Sequence, residues 1–372
     1  MLLNATALRA LLTGQKPPRY TIVSDEKSES TRPWAIPRRV QSLLGLLAAG
    51  VLLLLLLPLR NRISSRQRAE HQAQAEKHLI IASYMAQNVS WLSEIPTAWT
   101  IKRYLMDDPS PELPGLPVPM NQGREAMAYL TYIIDHYDEL PDYMIFTHGH
   151  ERSWHQMEPL QMKVRALNLT VLDEEDYISL RCGMQMGCEK QPYIDTKHVN
   201  WSGEDRMCEF WKRVTGERCP RYVSYKCCAQ HAVTRRAVQK RSKEAWIRIR
   251  EPIMHEVQDD WLSGMFYEKF WHLLLGAGPE YCPSVAECQQ VHFSNAIICD
   301  GDMDATVFEG DAWMDTKCVS AFDGLDKDAP AGPAIEEFHK ELLHIYADVR
   351  GKASERHKMQ QEAYNAQQAQ MT

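Results

Sequence analysis

The chain has no excess of positive charge. Its 372 residues carry 42 Lys and Arg against 49 Asp and Glu, a net charge of −7. A nucleic-acid binder is ordinarily basic, so nucleic acid is not an expected partner. The chain has no internal repeat, which removes solenoids and propellers. It has no cysteine before residue 182: all ten (Cys182, Cys188, Cys208, Cys219, Cys227, Cys228, Cys282, Cys288, Cys299 and Cys318) fall well after the first long apolar run. Its long apolar run is not expected to be a cleaved secretory leader. The first long apolar run follows about forty polar residues and lacks a small-residue cleavage site. The rest is ordinary globular composition, 44% hydrophobic and 24% charged, long enough for one large domain or two small ones.

That apolar run, Val40 to Leu59, contains LLGLLAAGVLLLLLLPL, 17 residues without a charge, between Arg38-Arg39 and Arg60/Arg62. It is near the lower limit for crossing a bilayer. A buried core helix is rarely so purely leucine, so the run predicts a single-pass anchor with the lipid bilayer as partner. A short span suits the thin early secretory membranes. Seven Lys/Arg before the run and five just after do not decide orientation. The even cysteine set on one side does, since disulfides belong to oxidising compartments. Three glycosylation sequons, at Asn88, Asn168 and Asn200, lie on that same side. The expected layout is a disordered cytosolic tail over 1–39, a transmembrane anchor over 40–59 and a stem over 60–76. A lumenal α/β domain over 77–325 and a C-terminal helix and tail over 326–372 follow. The expected home is the Golgi or endoplasmic reticulum.

Within the domain, strands are expected over His78–Tyr84, Thr100–Met106 and Tyr143–Phe146. Short helices are expected over Asn88–Ile95 and about 156–167, with a proline-rich loop from Pro109 to Pro119. Ala126, Leu130, Ile133, Ile134 and Tyr137 recur at helical spacing after a capping Asn121. This alternation predicts a largely parallel sheet flanked by helices, because parallel strands need crossovers. Further on, Tyr222–Val233 holds a strand signal, and Arg235–Arg250 and Asp260–Leu275 read as helices. A disulfide-bearing section and an amphipathic helix from Pro333 to Val349 follow, with fraying from Gly351.

Five constellations carry chemistry. His148-Gly149-His150 with His155 ends the third strand, where α/β folds bind ligands; the three imidazoles suit a divalent metal or a polar pocket, beside Arg152 and Trp154. Arg124 at a helix start suits phosphate or a structural ion pair. Asp107-Asp108 suits a ribose or a metal holding a diphosphate, or simply a turn before Pro109; Asp300, Asp302 and Asp304 read as a solvated acidic loop. Glu268 and His272, four apart among aromatics, share a helix face. Burial there raises a carboxyl toward general-base duty, against an ordinary packing role. Cys227 and Cys228 are adjacent, so each is expected to pair elsewhere.

The segments IIASYMAQNVSWLSEIP, GREAMAYLTYIIDHYDELPD, HGHERSWHQ, LRCGMQMGC and CCAQHAVTR, in that order, resemble a mostly fungal family catalogued as domain of unknown function 3431. The resemblance runs from roughly Lys77 to Cys299. It implies an acidic residue before an aromatic-Trp-His run, which is Glu268 here, and an aromatic residue where this chain has His231. The layout of tail, anchor, stem and α/β domain resembles secretory glycosyltransferases of the A-type fold, which carry an acidic metal motif where this chain has His148-Gly149-His150. That likeness implies a nucleotide-sugar donor and a glycan acceptor. A non-catalytic glycan-binding protein, using Trp154 and Arg152, is the second reading, and a histidine-metal hydrolase the third.

Overall fold

The computed structural model describes residues 67–112, 114–183, 188, 204–255, 260–300 and 316–371. The chain divides into two compact units, Met1–Arg66 and Gln67–Thr372. The first unit, with the expected tail and anchor, lies outside the described residues. Among the described residues no helix is long and apolar enough to cross a membrane. Residues 67–74, assigned to the stem by sequence, are helical. Gln72 donates to Asp173 at 2.9 Å and Arg68 to Glu174 at 2.9 Å, so this end of the stem docks on the domain.

Six strands form the central sheet: β1 (Lys77–Ser83), β2 (Thr100–Leu105), β3 (Gly115–Pro117), β4 (Tyr143–His148), β5 (Tyr177–Ser179) and β7 (His231–Thr234). Their order is β3-β2-β1-β4-β7-β5. All neighbouring pairs are parallel except those of β7, which runs against both β4 and β5. The sheet is therefore mixed and mostly parallel. β6 (Ser224–Tyr225) pairs separately with β8 (Glu280–Tyr281), and β9 (Ile297–Cys299) with β10 (Cys318–Ser320). The single strand expected over Tyr222–Val233 is thus two short strands in different sheets. β3 falls in the proline-rich segment, where Pro117 sits on an edge strand that loses no interior ladder bond.

Strand alternation sorts the core into two halves, because successive side chains leave opposite faces. Ile80, Ala82, Met144, Phe146 and Val233 face α1 (Glu125–Asp135) and the helices α4 (Glu204–Thr215), α5 (Lys243–His255) and α6 (Asp260–Leu274). Leu79, Ile81, Tyr143, Ile145 and Ala232 face α2 (Leu160–Ala166), α3 (Leu169–Glu175) and the 285–299 segment. Helices on both faces are what a buried parallel sheet requires. On α1, Leu130 and Ile133 are fully buried and Ile134 nearly so, each worth roughly 1.5–3 kcal/mol of burial. The last helix, α7, runs from Ala331 to Met371, past the Gly351 where the sequence predicts fraying.

Two expectations are corrected here. Asn121 does not cap α1. The cap position is Arg124, and Asp260 of α6 accepts from the backbone N–H of Gly123 at 2.7 Å and of Arg124 at 3.4 Å. Gly123 adopts φ +74, and an added Cβ would stand 2.9 Å from Ile253, so the close docking of α1 on α5 needs glycine. The cysteines pair as Cys182–Cys288, Cys188–Cys282, Cys208–Cys219, Cys299–Cys318 and, against expectation, Cys227–Cys228. The other eight satisfy one another, which leaves the adjacent two facing each other. Five disulfides mark an extracytoplasmic type of domain.

Candidate functional site

Topology gathers polar side chains at one edge of the sheet. The carboxyl ends of parallel strands share that edge, and antiparallel β7 begins there. After β3 the chain enters α1 at Glu125; β4 ends at His148; β5 leads to Arg181; Cys227, Cys228 and His231 arrive at the start of β7. α6, anchored on α1 by Asp260, brings Glu268 to the same edge.

Two carboxyls set the chemistry. Glu125 is buried and its desolvation pushes its pKa up to about 7. Glu268 is half-buried in a water-poor setting; burial, then the nearby Glu125 charge, pushes it to about 7 as well. Two like charges in one poorly solvated space resist joint ionisation, so the Glu125 charge adds to the burial that raises Glu268. Arg124 and Arg181 oppose these shifts on Glu268. Arg181 is almost fully buried, held down to about 10 by desolvation, and still cationic at neutral pH. Its guanidinium donates to the sulfurs of Cys227 and, at 3.4 Å, Cys228.

The histidines are neutral. His148 Nε2 lies 2.7 Å from the Cys228 carbonyl oxygen. A carbonyl only accepts, so Nε2 carries the proton and Nδ1 keeps a lone pair, 4.0 Å from the Glu125 carboxyl. Burial lowers the His148 pKa and takes His155 to about 2, His231 to about 3 and His272 to about 4. His150, lowered by burial and then by His148, meets Gln87 at 2.7 Å through Nδ1. His272 stacks on Tyr225 and sits 3.4 Å from the Pro279 carbonyl. Gly149 makes this tip possible: an added Cβ would stand 2.5 Å from Gln87 Oε1 and 2.6 Å from Ser83 Cβ. Its carbonyl accepts from Trp91 Nε1 at 2.9 Å.

Several buried polar atoms here have no hydrogen-bond partner: Tyr129 Oη, His155 Nδ1, His231 Nδ1 and Trp271 Nε1. The rings of Tyr129, His231 and Trp271 are mutual neighbours at 5.5–6.0 Å between centroids. Buried polar groups are ordinarily satisfied, so such a concentration marks a place built for water or a ligand.

Of the residues singled out by sequence, the structure brings Arg124, His148, His150, His155 and Glu268 into one electrostatic neighbourhood, with His272 one helical turn from Glu268. Trp154 stands on its rim, 47% exposed, its ring edge-on to His155. The His148 ring lies 6.1 Å from that of His150 and 5.5 Å from that of His155. Yet the one group of three or more potential ligand atoms within 4.8 Å of one another, among the described residues, is Cys227, Cys228 and Glu268. His148 and His150 are turned to the Cys228 carbonyl and to Gln87 instead. Arg152 ties its loop, donating to the Met157 carbonyl and the Thr316 carbonyl, each at 2.7 Å. Asp107 accepts from Met85 N–H at 2.8 Å and so ties the end of β2 to the loop after β1, while Asp108 accepts from Ser110 N–H at 2.9 Å within a turn. Exposed Asn88 accepts from Ser90 N–H, whereas Asn168 caps α3 and donates to the Val291 carbonyl. Asn200, Asp302 and Asp304 lie outside the described residues. Sequence reasoning missed Glu125 and Arg181 as site residues and met His231 only as a departure from an expected aromatic. The available signal for Arg181 was a lone arginine in the apolar run Ile178–Cys182; for Glu125 it was a carboxylate preceding an apolar helix face.

Fold and site together define a Rossmann-like α/β protein with two carboxyls of raised pKa at the carboxyl edge of its sheet. The chain belongs to the family described as "Protein of unknown function (DUF3431)", which it matches over residues 79–291. Comparison with curated proteins and with solved structures gives no match.

Proposed function

We propose that this is a membrane-anchored lumenal glycosyltransferase-like enzyme that moves a sugar from a nucleotide donor to a hydroxyl acceptor. One observation carries the reading: Glu125 and Glu268, both with pKa about 7, share an edge with two arginines. A base poised near neutrality is suited to taking a hydroxyl proton. Glu268 is that base, and burial together with the Glu125 charge sets its pKa. Arg124, half-exposed at 47%, and Arg181 neutralise a leaving diphosphate. The strand order, with one antiparallel strand beside the fourth, supports the nucleotide-sugar analogy, which is an argument from fold. The apolar run at 40–59 and the five disulfides support the lumenal placement. No metal is required by this arrangement of imidazoles, and the histidine-metal hydrolase has no ligating triad to rest on among the described residues.

The exposed indole of Trp154 favours a second reading, glycan binding without turnover, since aromatic faces accept sugar rings. Thermal-shift screening of the full-length protein in detergent with nucleoside diphosphates and nucleotide sugars separates the two. The transfer reading expects protection by one nucleotide class and release of nucleoside diphosphate with an acceptor. Glu268→Gln keeps the protection and loses about 10²–10⁴ in turnover. Protection by glycans alone, abolished by Trp154→Ala, gives the case to binding.

A further inference from the structure

The geometry points to a metal site with a redox lock: we propose that Cys227, Cys228 and Glu268 bind one soft or borderline divalent cation of the Zn2+ class once the Cys227–Cys228 bond is reduced. Eight cysteines are committed to bridges elsewhere in the chain. These two have only each other. Their sulfurs and a Glu268 carboxylate oxygen already lie within 4.8 Å of one another. Zinc ligands at about 2.0–2.3 Å from the metal stand roughly 3.5–4 Å apart in a tetrahedron. The Glu268 oxygen therefore has to close on the sulfurs by up to about an ångström, and the sulfurs, bonded to each other while oxidised, have to part by about 1.5–2 Å once reduced. Both sulfurs are buried, so competing water is scarce.

The chemistry balances. A dithiol reductant supplies two electrons and two protons. The S–S bond breaks, two thiols form, and the reductant leaves as its own cyclic disulfide. Arg181, in contact with both sulfurs, favours the thiolates. Metal entry then releases the two thiol protons. Two thiolates and one carboxylate carry three negative charges; a dication and the Arg181 guanidinium cancel them, as a buried charge cluster requires. Three protein ligands leave the fourth tetrahedral position open to water or a ligand atom. In the oxidised form the sulfurs are spent on each other and the site is closed. Metal uptake stands independently of the transfer reading. Only its consequence, that a cation on Glu268 removes the base, rests on that reading.

The test uses the full-length protein, titrated with dithiothreitol, with alkylation and mass spectrometry to report which cysteines open. Co2+ is the probe, read by its thiolate charge-transfer absorption. The expected result is no uptake before reduction and one Co2+ per chain after Cys227 and Cys228 open. Bound Co2+ should shield those two cysteines from alkylation. The Cys227→Ser/Cys228→Ser variant abolishes the band. Glu268→Gln weakens affinity at least about tenfold, since even outer-shell partners cost that much. Equal uptake by oxidised and reduced protein, absence of uptake after both cysteines open, or free alkylation of Cys227 and Cys228 with metal bound would each overturn the proposal. The shielding measurement uses the native chain and so survives a misfolded variant. Nucleotide protection of the oxidised protein tests the transfer reading separately.

Discussion

Replacing Glu125 with glutamine should change how stability depends on pH, and the size follows from its burial. The Glu125 carboxyl has its pKa pushed from 4.5 to about 7 in the folded protein; in the unfolded chain it returns to its ordinary value. A raised carboxyl pKa means that the folded state holds the proton more tightly. Its stabilising share is therefore complete below about pH 4.5 and is lost as pH climbs through 7. At 1.36 kcal/mol per pKa unit the loss is about 3 kcal/mol. Glu125→Gln keeps the shape and removes the titration, so the variant should overtake the wild type by about that amount at pH 8 and by little at pH 4.5. Loss of the Glu125 charge also lets Glu268 fall back toward the usual carboxyl range. Urea unfolding of both proteins at several pH values, disulfides intact, gives the difference curve. A flat difference between pH 4.5 and 8 would refute the buried-acid argument, whatever the absolute stabilities.

Three further outcomes are expected. Ile133→Ala, which empties a fully buried site between α1 and the sheet, should cost about 2–5 kcal/mol in unfolding free energy; a cost under 1 kcal/mol would mean that the α1 face is misassigned. Gly149→Ala forces a Cβ against Gln87 and Ser83 and should cost about 1–3 kcal/mol while displacing His150; an unshifted His150 resonance by NMR would contradict the close approach. In a eukaryotic secretory host, Asn88→Gln should remove a glycan-dependent gel shift, because Asn88 is exposed. Asn168→Gln should instead cost about 1 kcal/mol through its lost cap, with no change in mobility.

Long periodic elements were legible. β1, β2, β4 and α1 announce themselves by apolar runs and helical spacing, and the parallel arrangement follows from their alternation. β3 and β5 were not, and β7 showed only as part of a longer strand signal over Tyr222–Val233, because two to four residues carry too little pattern and their pairing is decided by distant partners. The carboxyl pair was half legible. Glu268 stands out among aromatics on a helix. Glu125 gains its chemistry only when α6 docks over it, and nothing near residue 125 signals a partner at residue 260. The Cys227–Cys228 pairing was hidden by a local argument: adjacent cysteines are poor partners in isolation, but the other eight leave them no alternative.

The Asp260 cap on α1 has a consequence for how the chain is made. The N–H groups that open α1 wait for an acceptor 137 residues further along. β5 likewise emerges from the ribosome before β7, yet touches the rest of the sheet only through it. During vectorial synthesis the nascent sheet has an open edge at β4 until residue 234 has appeared, and its main helix stays uncapped longer still. Translation arrest before that point should leave a chain that binds holdases through β4, and arrest after α6 should release it.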